Sequence, residues 1–249
     1  MSEVRAIILC EGETDQTLIG LYLESISDYS FCQKSTYSDI FSGEEITWYK
    51  NKRDCYIGIW DNNGNNFEKA LDKISYREKN LEHIIECIVV VTDNDDEFAQ
   101  DELPKRLYLT ISTGLGKADK GIDSLKNNEW VRFKLKNPFG DAIIDVCYLL
   151  VPSDKNGALE TYMLDALTEN DENQAYIIGQ VKSFISDIDT KKYLQHRRDK
   201  TKATLGVAIS IFNPERIFWI MNEILKSVDW GKYKTSSMQF AIFNDFLSN

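Results

Sequence analysis

Histidine is nearly absent from this chain, with two in 249 residues, His83 and His196. So few leave neither a histidine-based zinc site nor a Cys/His nucleophile pair with enough parts. The five cysteines, Cys10, Cys32, Cys55, Cys87 and Cys147, show no paired metal spacing, and their odd number leaves one over from any disulfide scheme. Cysteines inside apolar runs behave as small buried hydrophobes. No apolar stretch reaches the length of a membrane span, and Glu11 interrupts the first apolar run too early for a signal peptide. The expected location is therefore the reducing cytoplasm, away from membranes. Basic charge is also scarce, since 29 Lys and Arg against 40 Asp and Glu give a net charge of −11. Backbone binding of nucleic acid is largely electrostatic, so a broad nucleic-acid footprint is disfavoured. A nuclease is not excluded, because an acidic metal site adds to the negative count.

What is present is an apolar content of 43%, enough for a sizeable core. No repeat or low-complexity segment appears. The stretch Val4 to Asp15, VRAIILCEGETD, joins a short apolar run to a turn bearing three acids. Such a run fits a strand buried on both faces, and Leu18, Ile19, Leu21, Tyr22, Leu23 and Ile26 follow at helical spacing. Strand, acidic turn and helix describe the carboxyl edge of a parallel α/β sheet, where ligands bind in open sheets. Gly12 is expected to permit a tight turn, and Asp15 to sit in the first helical turn, where the helix dipole favours an acid. An acid there is also an ordinary cap.

A second apolar run, Ile84 to Asp96, IIECIVVVTDNDD, again ends in acids. Residues two apart in an extended chain point the same way, so Asp93 and Asp95 aim two carboxylates at one spot. Like charges so close repel unless a cation neutralises them or one takes up a proton. Oxygen ligands of this kind suit Mg²⁺. The plainer reading is an acidic surface turn.

An apolar strand ending in EGxxD followed by one ending in DxD resembles the Toprim domain, the metal-binding catalytic unit of topoisomerases, bacterial primases and OLD-type endonucleases. The resemblance implies an α/β, Toprim-like (Rossmann-like) fold: a mostly parallel sheet flanked by helices, with a helical C-terminal part. It implies Glu11 as general acid/base or metal ligand, and Asp93 and Asp95 as ligands of Mg²⁺ or Mn²⁺. Gly157, Ala158, Leu159 and Glu160 follow the strand Ala142 to Val151, and GxLE there is similar to OLD-type nucleases and small stand-alone Toprim-like proteins. Glu160 thereby completes an acidic cluster with Glu11, Asp15, Asp93 and Asp95. The stretch RRDKTKATLG is similar to a DKxKA stretch of those proteins, which implies a phosphate-contacting lysine, Lys202 or Lys200.

The implied activity is Mg²⁺-dependent cleavage of phosphodiester bonds in nucleic acid, DNA before RNA, by two carboxylate-held ions about 4 Å apart. The basic stretch Lys191, Lys192, His196, Arg197, Arg198, Lys200 and Lys202 reads either as a solvated helix face or as phosphate contacts, with Arg197, Arg198 and Lys200 as the nucleic-acid-binding candidates. The zinc segment of primases, a Tyr-bearing topoisomerase region and the ATPase module of OLD proteins are not identifiable. The expectation is a nuclease-like domain acting alone or with a separately encoded ATPase partner. The alternative is a non-catalytic Toprim-like module that binds metal or nucleotide in a regulatory or assembly role. A phosphorylated receiver domain also has acids at strand ends, but its compact size leaves half of this chain unexplained.

The remaining organisation is read from turn and periodicity signals. Residues 1–170 are expected to form the α/β core, and 171–249 a helical extension packed on it or part of one single domain. Ile46 to Tyr49 and Cys55 to Trp60 read as short strands, with Trp48 and Trp60 as core residues rather than base-stacking ones. DNNGNN at 61–66 is a turn into a helix from Phe67 to about Leu81. A helix start at Asp101 to Leu107 carries Pro104, tolerated in a first turn. Thr113 to Lys117, TGLGK, lacks P-loop spacing and is expected to be a flexible loop near the metal site. Trp130 to Leu135 alternates like an edge strand. Helices are expected at Ala158 to Leu167, Gln174 to Ile188, Lys191 to about Ala208, Pro214 to Val228 and Ser236 to Leu247.

Overall fold

A computed structural model describes residues 4–33, 41, 43–64, 66–81, 84–119, 121–169, 171–188, 194–214, 225–226 and 228–247. The described residues are α/β, built on a seven-stranded sheet. Its strands are β1 (Val4–Cys10), β2 (Ser30–Cys32), β3 (Ile46–Lys50), β4 (Tyr56–Asp61), β5 (Ile85–Asp93), β6 (Glu129–Leu135) and β7 (Ala142–Val151), in the order β2-β3-β4-β1-β5-β7-β6. The four central strands β4, β1, β5 and β7 run parallel. The pairings β2–β3, β3–β4 and β6–β7 are antiparallel. The sheet is thus mixed, where a mostly parallel one was expected. The reason lies in connection length: the links between β3 and β4 and between β6 and β7 are too short for the crossover that a parallel pair requires.

Alternation along the central strands feeds two separate cores. Ala6, Ile8, Cys10, Val89, Val91, Cys147 and Leu149 point to one face, and Ile7, Leu9, Ile88, Val90, Val146 and Tyr148 to the other. On the first face lie α1 (Glu13–Ile26), α4 (Leu159–Glu169), α5 (Glu172–Asp187) and α6 (Arg197–Phe212), with the short helix Lys234–Gln239. The second face is covered by α2 (Phe67–Asn80) and α3 (Leu103–Gly114). Residues after 170, among them Leu205, Ile209, Trp230 and Phe243, share one apolar cluster with the sheet. Strands buried on both faces explain why the central runs are continuously apolar. Trp48 and Trp60 are core residues. All five cysteines are free, three of them buried.

Several local expectations give way. Gly12 has φ −160° and ψ 176°, an extended conformation open to any residue, and a Cβ there would meet nothing within 4 Å. The turn after β1 therefore does not demand glycine. The helix carrying Pro104 is longer than expected, because a π-helical turn, Phe98–Glu102, runs straight into α3. Thr113 and Gly114 are the last residues of α3, and Gly116, at φ +121°, lies against the carbonyl of Lys134. Leu135 pairs with Ala142, the start of β7, so the TGLGK stretch lies at the amino edge of the parallel strands, opposite the acidic turns. Helix α6 begins at Arg197, and the expected Ser236–Leu247 helix is broken at Phe240. Lys191, Lys192 and residues 215–224 and 227 of the expected Pro214 to Val228 helix lie outside the described residues. Among the described residues, no helix is long and apolar enough to cross a membrane.

Candidate functional site

The carboxyl ends of β1 and β5 are neighbours, and the chain leaves them in opposite directions. After β1 it turns into α1, on the first face; after β5 it turns into α3, on the second. Such divergence opens a crevice at a topological switch point. Glu11 directly follows the last residue of β1 and Asp93 ends β5, so both stand on its floor.

Glu11 is fixed across this gap. Its Oε1 accepts hydrogen bonds from the Thr92 hydroxyl and from the Asp93 amide at 2.9 Å. Asp15 occupies the first turn of α1, where its Oδ2 accepts the Gly12 amide at 3.0 Å, completing a capping arrangement. Burial, followed by the charge of Glu11, pushes its carboxyl up to about 7, with Glu160 adding to the rise. Asp93 is 6% exposed. Burial, then Glu11 and Asp15, push it up to about 8, against the opposing pull of Arg198 and of the Leu159 amide.

The third wall is α4, held over Asp93 by one amino-acid-specific device. Asn94 is buried, and its Nδ2 donates to the carbonyls of Pro152 and Lys155 at 2.9 and 3.0 Å. Its Oδ1 accepts from Gln100 at 2.7 Å, and its carbonyl accepts the Gly157 amide at 2.7 Å. These bonds stitch the end of β5 to the loop entering α4. Gly157 must be small here, because a Cβ would lie 2.9 Å from both Pro152 and Thr161. The result sets the Leu159 amide 3.0 Å from Asp93 Oδ1. Glu160, one residue on, has an Oε2 that is buried without a hydrogen-bond partner.

Helix α6 closes the crevice with two cations. Arg198 Nη2 lies 2.7 Å from Asp93 Oδ2, and its Nη1 lies 3.4 Å from Asp95 Oδ2. Lys202, one turn later on the same helix face, has its Nζ 3.7 Å from Glu160 Oε1. Burial works against the charge on Arg198, but Asp93, Glu160, Glu11 and Asp95 together raise its pKa further. Two positive groups thus face five carboxylates.

Of the residues singled out in the sequence, Glu11, Asp15, Asp93, Asp95, Glu160, Lys202 and Arg198 meet at this crevice. Lys200 does not: it lies roughly 200° around the helix from Arg198 at 3.6 residues per turn, and it is exposed. Arg197 donates instead to the Asn156 carbonyl at 3.2 Å. Asp96 Oδ1 accepts the Ala99 amide at 2.8 Å and serves the following helical turn. Among the described residues, no group of three or more His, Cys, Asp or Glu side chains is placed to hold a metal ion. The donor types and the orphaned Glu160 oxygen suit a hard cation, but as placed Asp93 and Asp95 are paired with Arg198, and Glu160 with Lys202.

A family model described as a protein of unknown function, DUF3226, matches residues 5–249. The chain belongs to the DUF3226 family. No curated protein and no solved structure gives a significant match. The DUF3226 match takes in every element of the crevice, from β1 to α6. Sequence reasoning missed Asn94 and the inward role of Arg198. Asn94 stands out in the sequence only as an uncharged polar residue embedded between Asp93 and Asp95.

Proposed function

We propose that this DUF3226 protein is a Toprim-like, metal-dependent phosphodiesterase that cleaves nucleic acid, DNA before RNA, alone or with a separately encoded ATPase partner. The observation that carries the reading is the gathering of five carboxyl groups, those of Glu11, Asp15, Asp93, Asp95 and Glu160, around Arg198 and Lys202; burial and their mutual charge push Asp15 and Asp93 up to about 7 and about 8. A buried surplus of carboxylates is the mark of a cation site or of acid–base chemistry. Glu11, Asp15, Asp93, Asp95 and Glu160 are the residues that would hold Mg²⁺ or Mn²⁺. When bound, such a metal supplies Lewis-acid stabilisation and an activated water.

The roles of the chain's own groups follow from their positions. Glu11 has one oxygen fixed by Thr92 and Asp93, which leaves Oε2 to exchange a proton with a ligand. Lys202, at the rim beside Glu160, is placed to neutralise a phosphoryl oxygen as charge develops there. The N-terminal ends of α1, α4 and α6 open toward the same crevice, and helix N-termini favour phosphate groups. The test is cleavage of plasmid and of single-stranded DNA and RNA with Mn²⁺. Cleavage by the wild type and none by Glu11→Ala of equal thermal stability supports the reading; equal cleavage by both defeats it.

A second reading has its own support. Arg198 already occupies Asp93 and Asp95, and among the described residues no three ligand groups are placed to hold a metal ion, which favours a non-catalytic metal- or nucleotide-binding module in a regulatory or assembly role. Metal binding without cleavage of any of the three substrates selects it.

A further inference from the structure

We infer that Arg198 is the resident counter-ion of the crevice and that its pairing excludes a divalent cation from the Asp93–Asp95 pair. The inference rests on the proposed metal-binding reading and deepens it by naming how access to the site is controlled.

Asp93 has both oxygens engaged. Oδ1 accepts the Leu159 amide at 3.0 Å, and Oδ2 carries the Arg198 guanidinium at 2.7 Å. The same guanidinium reaches Asp95. A hard cation bridging these two carboxylates would meet the Arg198 guanidinium on Oδ2 of both, a like charge set directly against it. The two therefore compete for the pair. Asp93 buried as an anion without any cation is costly, and burial already pushes it toward taking up a proton instead. Arg198, a metal ion and a proton are therefore competitors for the same carboxylate.

Arg198 is built to leave. Its side chain remains 43% exposed, against 7% for Asp93. The anchor of α6 lies elsewhere, in the buried Thr204, Leu205, Ala208 and Ile209 two turns further along. Arg197 separately ties the helix start to the Asn156 carbonyl. The guanidinium can thus swing out on its own flexible stem while the helix stays docked. Lys202 does not replace it, since its nearest carboxylate is Glu160 at 3.7 Å.

The experiment is calorimetric titration of Mn²⁺, then Mg²⁺, into wild type, Arg198→Ala, Arg198→Gln and, as a control for lost surface charge, Lys182→Ala. The expected result is binding at least tenfold tighter in both Arg198 variants than in the wild type, with Lys182→Ala unchanged. In metal-free buffer the Arg198 variants melt lower than the wild type, and millimolar Mn²⁺ restores them. Arg198→Gln keeps much of the side-chain volume and serves where Arg198→Ala does not fold. Equal or weaker binding in folded Arg198 variants overturns the exclusion while leaving the metal reading intact. No binding by the wild type or by either variant at millimolar metal overturns both.

Discussion

Replacing Asp93 by Asn probes the charge surplus of the metal-free crevice directly. Asn keeps the shape of the side chain and an oxygen for the Leu159 amide, and it cannot ionise. In the folded wild type, burial and the charges of Glu11 and Asp15 push Asp93 from 3.8 up to about 8. In the unfolded chain the group ionises near 3.8. Between those values the folded protein holds one proton more than the unfolded one. The stability contributed by this proton is fully present below about pH 4 and is lost as pH rises toward 8, at about 1.4 kcal/mol per pH unit. Over the whole span the loss is capped at about 6 kcal/mol. Asp15, pushed up to about 7, acts in the same direction and shares the pair's titration. Asp93→Asn removes the slope, so its stability relative to wild type should rise by about 1.4 kcal/mol per unit between pH 5 and 7 and level off above pH 8. Urea unfolding followed by the fluorescence of the buried Trp48, Trp60 and Trp230, in EDTA from pH 5 to 9, reads this difference. A difference that stays constant with pH refutes the surplus, and one that falls shows a carboxylate stabilised as the anion.

Other consequences follow from the same geometry. Mg²⁺ at a few millimolar should flatten the pH slope of Arg198→Gln more than that of the wild type, because a bound cation favours ionised Asp93; slopes that Mg²⁺ leaves unchanged in both proteins in pH-scanned melting speak against binding there. Asn94→Ala removes the bonds to Pro152, Lys155 and Gln100 and should cost about 2–3 kcal/mol in denaturant unfolding, with weaker Mn²⁺ binding although Asn94 is not among the acids. Gly157→Ala forces a Cβ to 2.9 Å from Pro152 and Thr161 and should cost about 1–3 kcal/mol as overpacking does, seen as a lowered urea midpoint at unchanged m-value.

The residues differ in how far they could be read without the fold. Asp93 and Glu11 were legible because a buried strand announces itself by an unbroken apolar run, and the first acids mark where it leaves the core. The strands around Trp48 and Trp60 were legible for the same reason, but their antiparallel pairing was overlooked although the short link between β3 and β4 dictates it. TGLGK was misplaced, since Thr113 and Gly114 belong to α3 and glycine at a helix end looks locally like a loop. Lys200 and Lys202 were equivalent in sequence and became distinct only through helical phase, which puts Lys202 one turn from Arg198.

By itself, then, the sequence determined the α/β class, the buried central strands and the acids at two strand ends, because strand periodicity and helix-start chemistry are encoded within a few neighbouring residues. Only the tertiary structure decided that β1 and β5 are adjacent, that Asn94 holds α4 over Asp93, and that α6 returns to set Arg198 on Asp95 from 103 residues away. Contacts of that separation leave no periodic trace in the chain; they exist because apolar faces of the helices, packed on one side of the sheet, fix where the charged ends must meet.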